Sequence, residues 1–392
     1  MRILLLAPHP FYQERGTPIA VNLLARAMAE RGDVVDILTY HEGETLSYPS
    51  NITIHRIPPQ RFASHIRPGF SLKKIICDIA LYRSVARMMQ KTSYDCIHAV
   101  EESVFIAKRF SKKQGIPYVF DMDSSMPQQI ADKLPIAKCV LPLMKKIETS
   151  AIRNAVAVVP MCSDLAEYAK SVGAKYVEIL HDISLLPEKE SPNSQNGFRE
   201  QLNISKCCML YLGNLEPYQG IDLMLESLAI ATQSTEDIHL VVAGGRADDI
   251  QKYKLKSRQL GIEPYVNFIG PRPIDHMAAL FKDADILISP RTQGNNTPMK
   301  IYSYLDAQRA IIATDLPTHT QVLDHTTAEL VQPTPRAMAM AMLRLSNDEA
   351  LRKELATNAK KTAIEKYSHQ AFKATVNRLY DTVAAIARAN NK

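Results

Sequence analysis

The chain has 392 residues, a length that predicts two domains of ordinary size. Hydrophobic residues make up 46% and charged residues 22%, as in soluble globular proteins, which argues against disorder. The net charge of +6 is too small by itself to indicate a nucleic-acid-binding protein. The 6 cysteines include no C-x-x-C pair, which predicts reduced structural thiols rather than a disulfide scaffold.

The N-terminal run MRILLLAPHP contains one basic residue and is too short for a signal peptide or a spanning helix. No other apolar run in the sequence reaches membrane-spanning length. We therefore expect a cytoplasmic protein that is soluble or peripheral on the inner face of the membrane.

Short apolar runs and helical patterns alternate through residues 1–186. The strand-like runs are RILLLA, VVDILTY, YDCIHAV, IPYVFDM and AVAVVPM, and patterns such as TPIAVNLLARAMAERG separate them. Short apolar strands without alternation, separated by helices, are typical of a parallel sheet covered on both faces. Residues 1–186 are therefore predicted to form an N-terminal Rossmann-like domain.

Residues 187–205 interrupt this pattern with Pro, Ser, Asn and charged residues, which predicts an interdomain linker. The pattern resumes over residues 206–370 with CMLYLG, IHLVVAGG, VNFIG, DILISP and AIIATD, which predicts a second Rossmann-like domain. Residues 371–392 are predicted to form a helix that packs on the N-terminal domain. The expected fold is α/β, with two doubly wound domains facing across a ligand-binding cleft.

A dinucleotide-dependent dehydrogenase is the first function to test on such a fold. Its fingerprint is G-x-G-x-x-G directly after a strand, and the segments LAPHPFYQERGTP, LGNLEPYQGID and AGGRADD all lack it. The sequence also has no Walker loop, no G-x-S-x-G and no His/Cys cluster at metal-binding spacing. We therefore expect no resident cofactor and no metal.

Glycine-containing turns lead from strands into helices at several points. In QERGTPIAV, Gly16 permits close backbone approach and Thr17 is a suitable N-cap residue. In GNLEPYQGID, Gly213 and Gly220 flank the turn. Helix N-termini present unpaired N–H groups and partial positive charge, so such turns suit diphosphates and sugar hydroxyls.

The loop RTQGNNTPMK places two cations around a Gly/Asn segment. Lys300 is predicted in the first helical turn, where it opposes the helix dipole, and Arg291 ends the preceding strand. A bound anion would remove that cost, so the two side chains are predicted to clamp a phosphate. The alternative is that both are solvated surface cations.

Taken in chain order, several segments resemble the motifs of family 4 glycosyltransferases, the retaining family with the GT-B fold. The segments are GTPIAVNLLARAMAERGDVVDILT, YDCIHAV, GIPYVFDMD, VVPMCSDLAEYAKSVGAKYVEILHDI, YLGNLEPYQGIDLMLESLAIA and MKIYSYLDAQRAIIATDLP. The resemblance covers almost the whole chain. It implies transfer of a sugar from a nucleotide-diphosphate sugar to an acceptor hydroxyl, without a metal, in bacterial-type polysaccharide, lipopolysaccharide or glycolipid synthesis.

The sequence departs from the family pattern at five polar positions. Asn214 and Gln219 stand where the family usually has Arg and Lys, and Asn295 and Ser303 stand at the E-x7-E glutamates. Asp123 replaces a histidine near the donor sugar. A rewired active transferase is favoured because the glycine-rich turns and GNNTPMK are retained. A non-catalytic nucleotide-sugar-binding homologue and a GT-B sugar-nucleotide epimerase are the alternatives.

These arguments give three groups of predicted site residues. The catalytic group is Asp123, Arg291 and Lys300. The donor-binding group is Gly16, Thr17, Gly213, Asn214, Gln219, Gly220, Gly245, Arg272, Asn295, Asn296, Thr297, Pro298, Met299 and Ser303. The acceptor-side group, predicted at strand ends and loops that face the cleft, is His9, His98, Glu101, Glu102 and Asp121. A hydrogen-bonded structural role is the alternative for the glutamates, and surface exposure is the alternative for His9.

Residues 61–91 contain seven Lys or Arg against one acidic residue, with apolar residues between them. This pattern predicts a basic amphipathic surface that docks on anionic lipid, as suits a lipid-linked acceptor. The alternative is an ordinary helix with a solvated basic face. No aromatic-plus-basic strand pattern supports nucleic acid as a partner.

Overall fold

The computed structural model describes residues 1–66, 71–127, 130, 141–187, 197–294 and 296–390. The chain divides into two compact units, Met1–His181 with Phe372–Lys392, and Asp182–Ala371. The boundary thus precedes the expected linker, 187–205, which falls within the second unit. Residues 188–196 of that linker lie outside the described residues, whereas Phe198–Gln201 form a helix with Phe198 buried in the core of the unit.

The first unit contains a parallel sheet of six strands. The strands are β1 (Arg2–Ala7), β2 (Val34–Thr39), β3 (Ile52–Arg56), β4 (Cys96–Val100), β5 (Tyr118–Met122) and β6 (Ala157–Pro160), in the order β3-β2-β1-β4-β5-β6. The helices are α1 (Gly16–Glu30), α2 (Leu72–Lys91), α3 (Val104–Gln114), α4 (Leu141–Asn154) and α5 (Ser163–Ser171). Every strand pair in the sheet is parallel.

The second unit repeats this architecture. Its strands are β7 (Cys207–Leu212), β8 (Ile238–Ala243), β9 (Val266–Gly270), β10 (Ile286–Ser289), β11 (Ala310–Thr314) and β12 (Glu329–Val331), in the order β12-β11-β10-β7-β8-β9. Its helices are α6 (Phe198–Gln201), α7 (Ile221–Ala231), α8 (Ala247–Gln259), α9 (Met277–Asp283), α10 (Lys300–Asp306), α11 (Pro317–Thr320), α12 (Pro335–Asn347) and α13 (Glu349–Lys366). The last helix, α14 (His369–Asn390), ends the described chain.

The prediction of two doubly wound α/β domains is confirmed. The central strands carry unbroken apolar runs because helices cover both faces of each sheet: the side chains of β1 from Ile3 to Leu6 are inaccessible to solvent, as are those of β10 from Ile286 to Ile288. The parallel arrangement brings the carboxyl ends of all strands to one edge of each sheet, where the connecting turns collect.

The C-terminal helix α14 contributes to the core of the first unit. Val376, Leu379 and Val383 are inaccessible to solvent. The Tyr380 hydroxyl lies 2.8 Å from Nδ1 of His98 on β4. The end of the chain therefore supplies both apolar and polar contacts to a sheet formed by the first residues.

Among the helices of the described residues, none combines the length and the apolar character that crossing a membrane requires.

Candidate active site

In the second unit, the turn after β7 packs directly on the segment after β10. The turn continues through a short helical turn, Pro217–Gln219, to Gly220, which has φ of +75° and precedes α7. A Cβ atom at Gly220 would lie 1.9 Å from the carbonyl oxygen of Pro290. Glycine is therefore required here both by the backbone conformation and by the close approach of the two segments.

The Lys300 ammonium group is buried at this turn and has no hydrogen-bond partner among the residues that the structure describes. Its Nζ lies 4.1 Å from the centroid of the Tyr211 ring and 3.5 Å from the position that a Cβ on Gly213 would occupy. Burial, assisted by the positive charge of Arg291, lowers the pKa of Lys300 to about 7. Within the described part of the chain, the contacts that favour this charge are with the faces of the Tyr211 and Tyr304 rings.

Arg291 organises the loop that follows β10. Its Nε donates to the carbonyl of Gln293 at 2.8 Å, and its Nη1 donates to the carbonyl of Asn296 at 2.9 Å. The guanidinium carbon lies 5.2 Å from the centroid of the Tyr218 ring. Thr318 donates its hydroxyl to the same Asn296 carbonyl at 2.8 Å. Two of the five N–H groups of Arg291 therefore hold the loop in shape, and a contact of the guanidinium with a phosphate stays a prediction.

The buried residue His319 forms hydrogen bonds at the ends of β10 and β11. His319 Nδ1 donates to the carbonyl of Thr314 at 2.9 Å, since a carbonyl can only accept, and Nε2 accepts from the Ser289 hydroxyl at 2.8 Å. Burial, followed by the charges of Lys300 and Arg291, lowers the pKa of His319 to about 3. The imidazole is therefore neutral and purely structural in its contacts. No pattern in the sequence around His319 marks this role.

A cavity of about 350 Å³ opens beside the turn after β7. Four predicted donor-binding residues line it: Gly213, Asn214, Gly245 and Arg272. Arg246 also lines it, with Nη2 3.9 Å from Oε1 of Glu216. The structure thus brings together predicted residues from three successive strand ends.

In the first unit, a cavity of about 680 Å³ collects five predicted residues: His9, Gly16, Thr17, Glu101 and Glu102. Gly16 and Thr17 were expected to bind the donor, and they line the same cavity as the acceptor-side residues. Helix α1 begins at Gly16 with Arg15 in the N-cap position, so the expectation that Thr17 caps this helix is wrong. The backbone of Arg15 is extended, which ends the preceding loop two residues earlier than expected.

Carboxylates concentrate at the polar end of this cavity. Glu102 forms an ion pair with Lys74 of α2. Burial and the neighbouring Glu102 charge raise the pKa of Glu101 to about 7. Asp78, also on α2, accepts a hydrogen bond from the Tyr40 hydroxyl at 2.5 Å, and burial raises its pKa to about 7. The sequence analysis missed Lys74 and Asp78 because they lie within a helix whose charged face appears solvated.

His9 presents an unsatisfied group to the same cavity. It is buried, and no described residue lies within hydrogen-bond distance of its Nε2. Burial, followed by the charges of Lys74 and Arg15, lowers the pKa of His9 to about 3. A neutral imidazole nitrogen without a partner is suited to a hydroxyl group of a ligand.

His98 and Asp121 occupy the sheet rather than an open surface. His98 is inaccessible to solvent, and its Nε2 lies 3.0 Å from Oδ2 of Asp121. The Tyr380 hydroxyl of α14 lies at hydrogen-bond distance from Nδ1, so the predicted acceptor-side residue His98 is enclosed in the first unit with both ring nitrogens partnered. Asp123, in the bend after β5, is half-buried, and its catalytic role stays a prediction.

Two family models match the chain: "Glycosyl transferase 4-like domain" over residues 15–180 and "Glycosyl transferases group 1" over residues 194–362. One lies in each unit, and together they span most of the sequence. The chain belongs to the family 4 glycosyltransferases.

The alignments with relatives and with solved structures cover both units of this glycosyltransferase. It is 25% identical to the phosphatidyl-myo-inositol mannosyltransferase of Mycobacterium leprae, with 98% of this chain and 97% of that protein covered. Sucrose-phosphate synthase from Thermosynechococcus elongatus has a similar fold, with a TM-score of 0.77, 18% identity and coverage of 98% and 99%. HepE from Anabaena, solved in complex with UDP, gives a TM-score of 0.75 at 15% identity, covering 97% and 100%.

In this glycosyltransferase, the side chains at the positions that depart from the family pattern differ in their burial and hydrogen bonding. The Asn214 side chain accepts from the backbone N–H of Glu216 at 3.3 Å. Gln219 is buried, and its Oε1 is unpaired within the described ranges. Ser303 is inaccessible to solvent, and its Oγ accepts from the backbone N–H of Leu185 at 3.0 Å. Asn295 lies outside the described residues.

The remaining predicted donor residues of this glycosyltransferase immediately precede α10. The hydroxyl of Thr297 is buried without a partner among the described residues, and the carbonyl of Pro298 accepts from the N–H of Ile301 at 2.9 Å. Met299 occupies the N-cap position, so the helix begins at Lys300 itself. Contacts of these residues with a donor stay predictions.

Proposed function

We propose that this glycosyltransferase takes its sugar from a nucleotide-diphosphate donor bound at the second unit, with Lys300 facing the diphosphate. The observation that carries the proposal is the buried Nζ of Lys300 beside Gly213, which has no hydrogen-bond partner in the described part of the chain. An unpaired buried cation is costly, and an anionic ligand would remove that cost. The UDP complex of the similarly folded HepE supports a nucleotide diphosphate as the ligand.

In this proposal, transfer proceeds with retained configuration and without a metal or other cofactor. Negative charge develops on the departing diphosphate in the transition state, and Lys300 stabilises it from a preorganised, poorly hydrated position. An oxygen of the departing diphosphate accepts the proton of the incoming hydroxyl. Arg291 contributes by holding the loop of Gln293 and Asn296 in shape.

We assign the acceptor, a sugar or lipid-linked hydroxyl, to the first unit. The polar groups that can orient it are His9, Glu101 and Glu102 in the cavity of about 680 Å³. The similarity to a phosphatidyl-myo-inositol mannosyltransferase supports an acceptor of this kind.

Docking of the first unit on an anionic membrane surface is part of the proposal. Within the segment 61–91, residues 67–70 lie outside the described residues. Helix α2 exposes 77% of Leu72, and Lys73, Arg83 and Arg87 are also exposed on it. Apolar and basic side chains on one exposed helix favour a peripheral, cytoplasmic enzyme at anionic lipid. Flotation with liposomes containing or lacking anionic lipid measures this directly, and equal recovery with both would contradict it.

Calorimetric titration with UDP and other nucleoside diphosphates tests the donor site. Lys300→Met retains the apolar stem but removes the charge, and we expect it to weaken diphosphate binding at least tenfold, as for loss of a buried charge-assisted contact. Lys252→Met, which removes an exposed lysine of the same unit, is the control and should bind normally. Unchanged affinity in Lys300→Met would remove Lys300 from the site.

A further inference from the structure

A second concave surface of the first unit lies between α2 and the segment that follows β3. It is a groove of about 440 Å³. Its lining combines apolar, polar and positively charged side chains, among them Gln60, Ile76, Ile79, Arg83, Ser84 and Arg87. None of the residues assigned to the donor or the acceptor lines this groove, so the proposed transfer reaction does not account for it.

The two arginines of the groove lie close together without a counterion. Arg83 and Arg87 are spaced i, i+4 on α2, which places their Cβ atoms about 5–6 Å apart on one face of the helix. Both side chains are exposed, and neither forms an ion pair or a hydrogen bond with a residue that the structure describes. Among the described residues that line the groove, none carries a carboxylate. Like charges at this spacing disfavour the helix, and an anion bound between them would remove that cost.

The helical surface around the groove is also positively charged. Asp78 is the one acidic residue within α2 and α3, and its side chain is not exposed. Helix α3 lies beside α2, where Nε of Arg109 donates to the Tyr82 hydroxyl at 2.9 Å. The other exposed charged residues of α3, Lys112 and Lys113, are basic as well. The charges of the two helices therefore attract an anion toward the groove.

The apolar lining indicates which kind of anion fits the groove. Ile76 and Ile79 are exposed and precede the arginines on α2. A free phosphate ion would contact the arginines and leave the isoleucines in water, whereas a lipid carries a phosphate and an apolar part in one molecule. We propose that the groove binds the phosphate headgroup of one anionic lipid, with Arg83 and Arg87 on the phosphate and the first carbons of the acyl chains along the two isoleucines.

This inference deepens the membrane docking in the proposed function, on which its setting at a bilayer rests. Docking through the charge of a whole helix needs only basic and apolar side chains facing a membrane, and it has no fixed stoichiometry. The groove instead implies one lipid per protein molecule, bound even when the lipid is dissolved as a monomer.

The test is calorimetric titration of the full chain with dihexanoyl phosphatidylglycerol below its micellar concentration. One molecule should bind per chain. Glycerol 3-phosphate has the phosphate without acyl chains and should bind roughly tenfold more weakly, as for the loss of two buried methylene groups. Dihexanoyl phosphatidylcholine, whose choline group cancels the charge of the phosphate, should also bind more weakly.

Three glutamine variants of α2 locate the binding site. Arg83→Gln and Arg87→Gln should each weaken binding of dihexanoyl phosphatidylglycerol roughly tenfold, as for the loss of a charge-assisted contact. Lys91→Gln is the matched control, because Lys91 is exposed one turn after Arg87 and does not line the groove. It removes the same charge from the same helix and should bind like the unmodified protein. Urea unfolding should give the same stability for all three, since the altered side chains are exposed.

Equal affinity for glycerol 3-phosphate and for the lipid would overturn the lipid as occupant, and equal affinity for phosphatidylcholine would overturn the anionic headgroup. An equal loss in Lys91→Gln would overturn the groove in favour of general surface charge. Flotation with anionic liposomes keeps the groove and the docking apart. Binding to liposomes without binding of the monomeric lipid contradicts the groove alone, whereas binding of the monomer without binding to liposomes supports the groove and contradicts the docking.

Discussion

At Lys300, burial and the binding of an anionic ligand have opposite effects on the pKa of the ammonium group. The pKa of this ammonium falls from 10.5 to about 7 because the group is buried, so the unfolded chain binds more protons than the folded chain between these values. Stability contributed by this residue therefore rises with pH through that window, and the cost of its charge is fully present below pH 7. A bound diphosphate would favour the charged form and raise the pKa again.

Diphosphate binding is therefore expected to draw a proton from the buffer. At pH 8, above the lowered pKa, UDP binding should be accompanied by uptake of up to one proton. Calorimetry in two buffers of different ionisation enthalpy measures the number, and Lys300→Met should abolish it. An observed enthalpy that is identical in both buffers would mean that Lys300 does not change its protonation on binding.

At the scale of elements, the donor-side turn depends on the contact between Gly220 and the carbonyl of Pro290. Gly261, after α8, has a similar φ of +69°, but a Cβ there would meet nothing within 4 Å. The two glycines thus share the conformational requirement and differ in the packing requirement.

Alanine at each position separates these requirements. Gly261→Ala should cost about 1–2 kcal/mol, the usual penalty for a side chain in the left-handed region. Gly220→Ala should cost more and should also weaken UDP binding, because Pro290 and the adjacent Arg291 must move. Urea unfolding and UDP titration of both variants provide the comparison. Equal effects on UDP binding would show that the contact with Pro290 does not shape the site.

Features that depend on residues close together in the sequence were predicted, whereas features that depend on distant residues were missed. Unalternating apolar strands are local features, and they predicted both sheets. Gly213, Asn214, Gly245 and Arg272 line one cavity, and their binding of a donor stays a prediction. The burial of His98 depends on a helix more than 250 residues away in sequence, which no local pattern reveals.

Other features were missed because their contacts are equally distant. In the sequence, Lys74 and Asp78 belong to the charged face of a helix, which is expected to be solvated. Their place in the cavity is evident only in the folded structure, where Lys74 of α2 forms an ion pair with Glu102. The engagement of Arg291 by its own loop also depends on the folded conformation of a glycine-containing segment.

For the whole molecule, the contact between Tyr380 and His98 joins the end of the chain to the first sheet. The carboxylate of Asp121 lies at hydrogen-bond distance from Nε2 of His98, and the hydroxyl of Tyr380 lies at hydrogen-bond distance from Nδ1. Removing the hydroxyl leaves a buried nitrogen without that partner.

Tyr380→Phe should therefore destabilise the protein by about 1–3 kcal/mol, the range for an unsatisfied buried polar group. The free energy of unfolding is measured in urea, and UDP binding should be unchanged because the altered residue belongs to the first unit. A stability equal to that of the unmodified protein would mean that the hydrogen bond contributes nothing net.

The return of the chain to its first unit has a consequence during synthesis. Residues of the N-terminal sheet leave the ribosome before those of α14, at about 5–20 residues per second. The part of the first unit that α14 covers must therefore wait until the whole intervening unit has been translated. A stop codon directly after Ala371 would leave that apolar surface open to chaperones and proteases, whereas every residue of the second unit would already have been made.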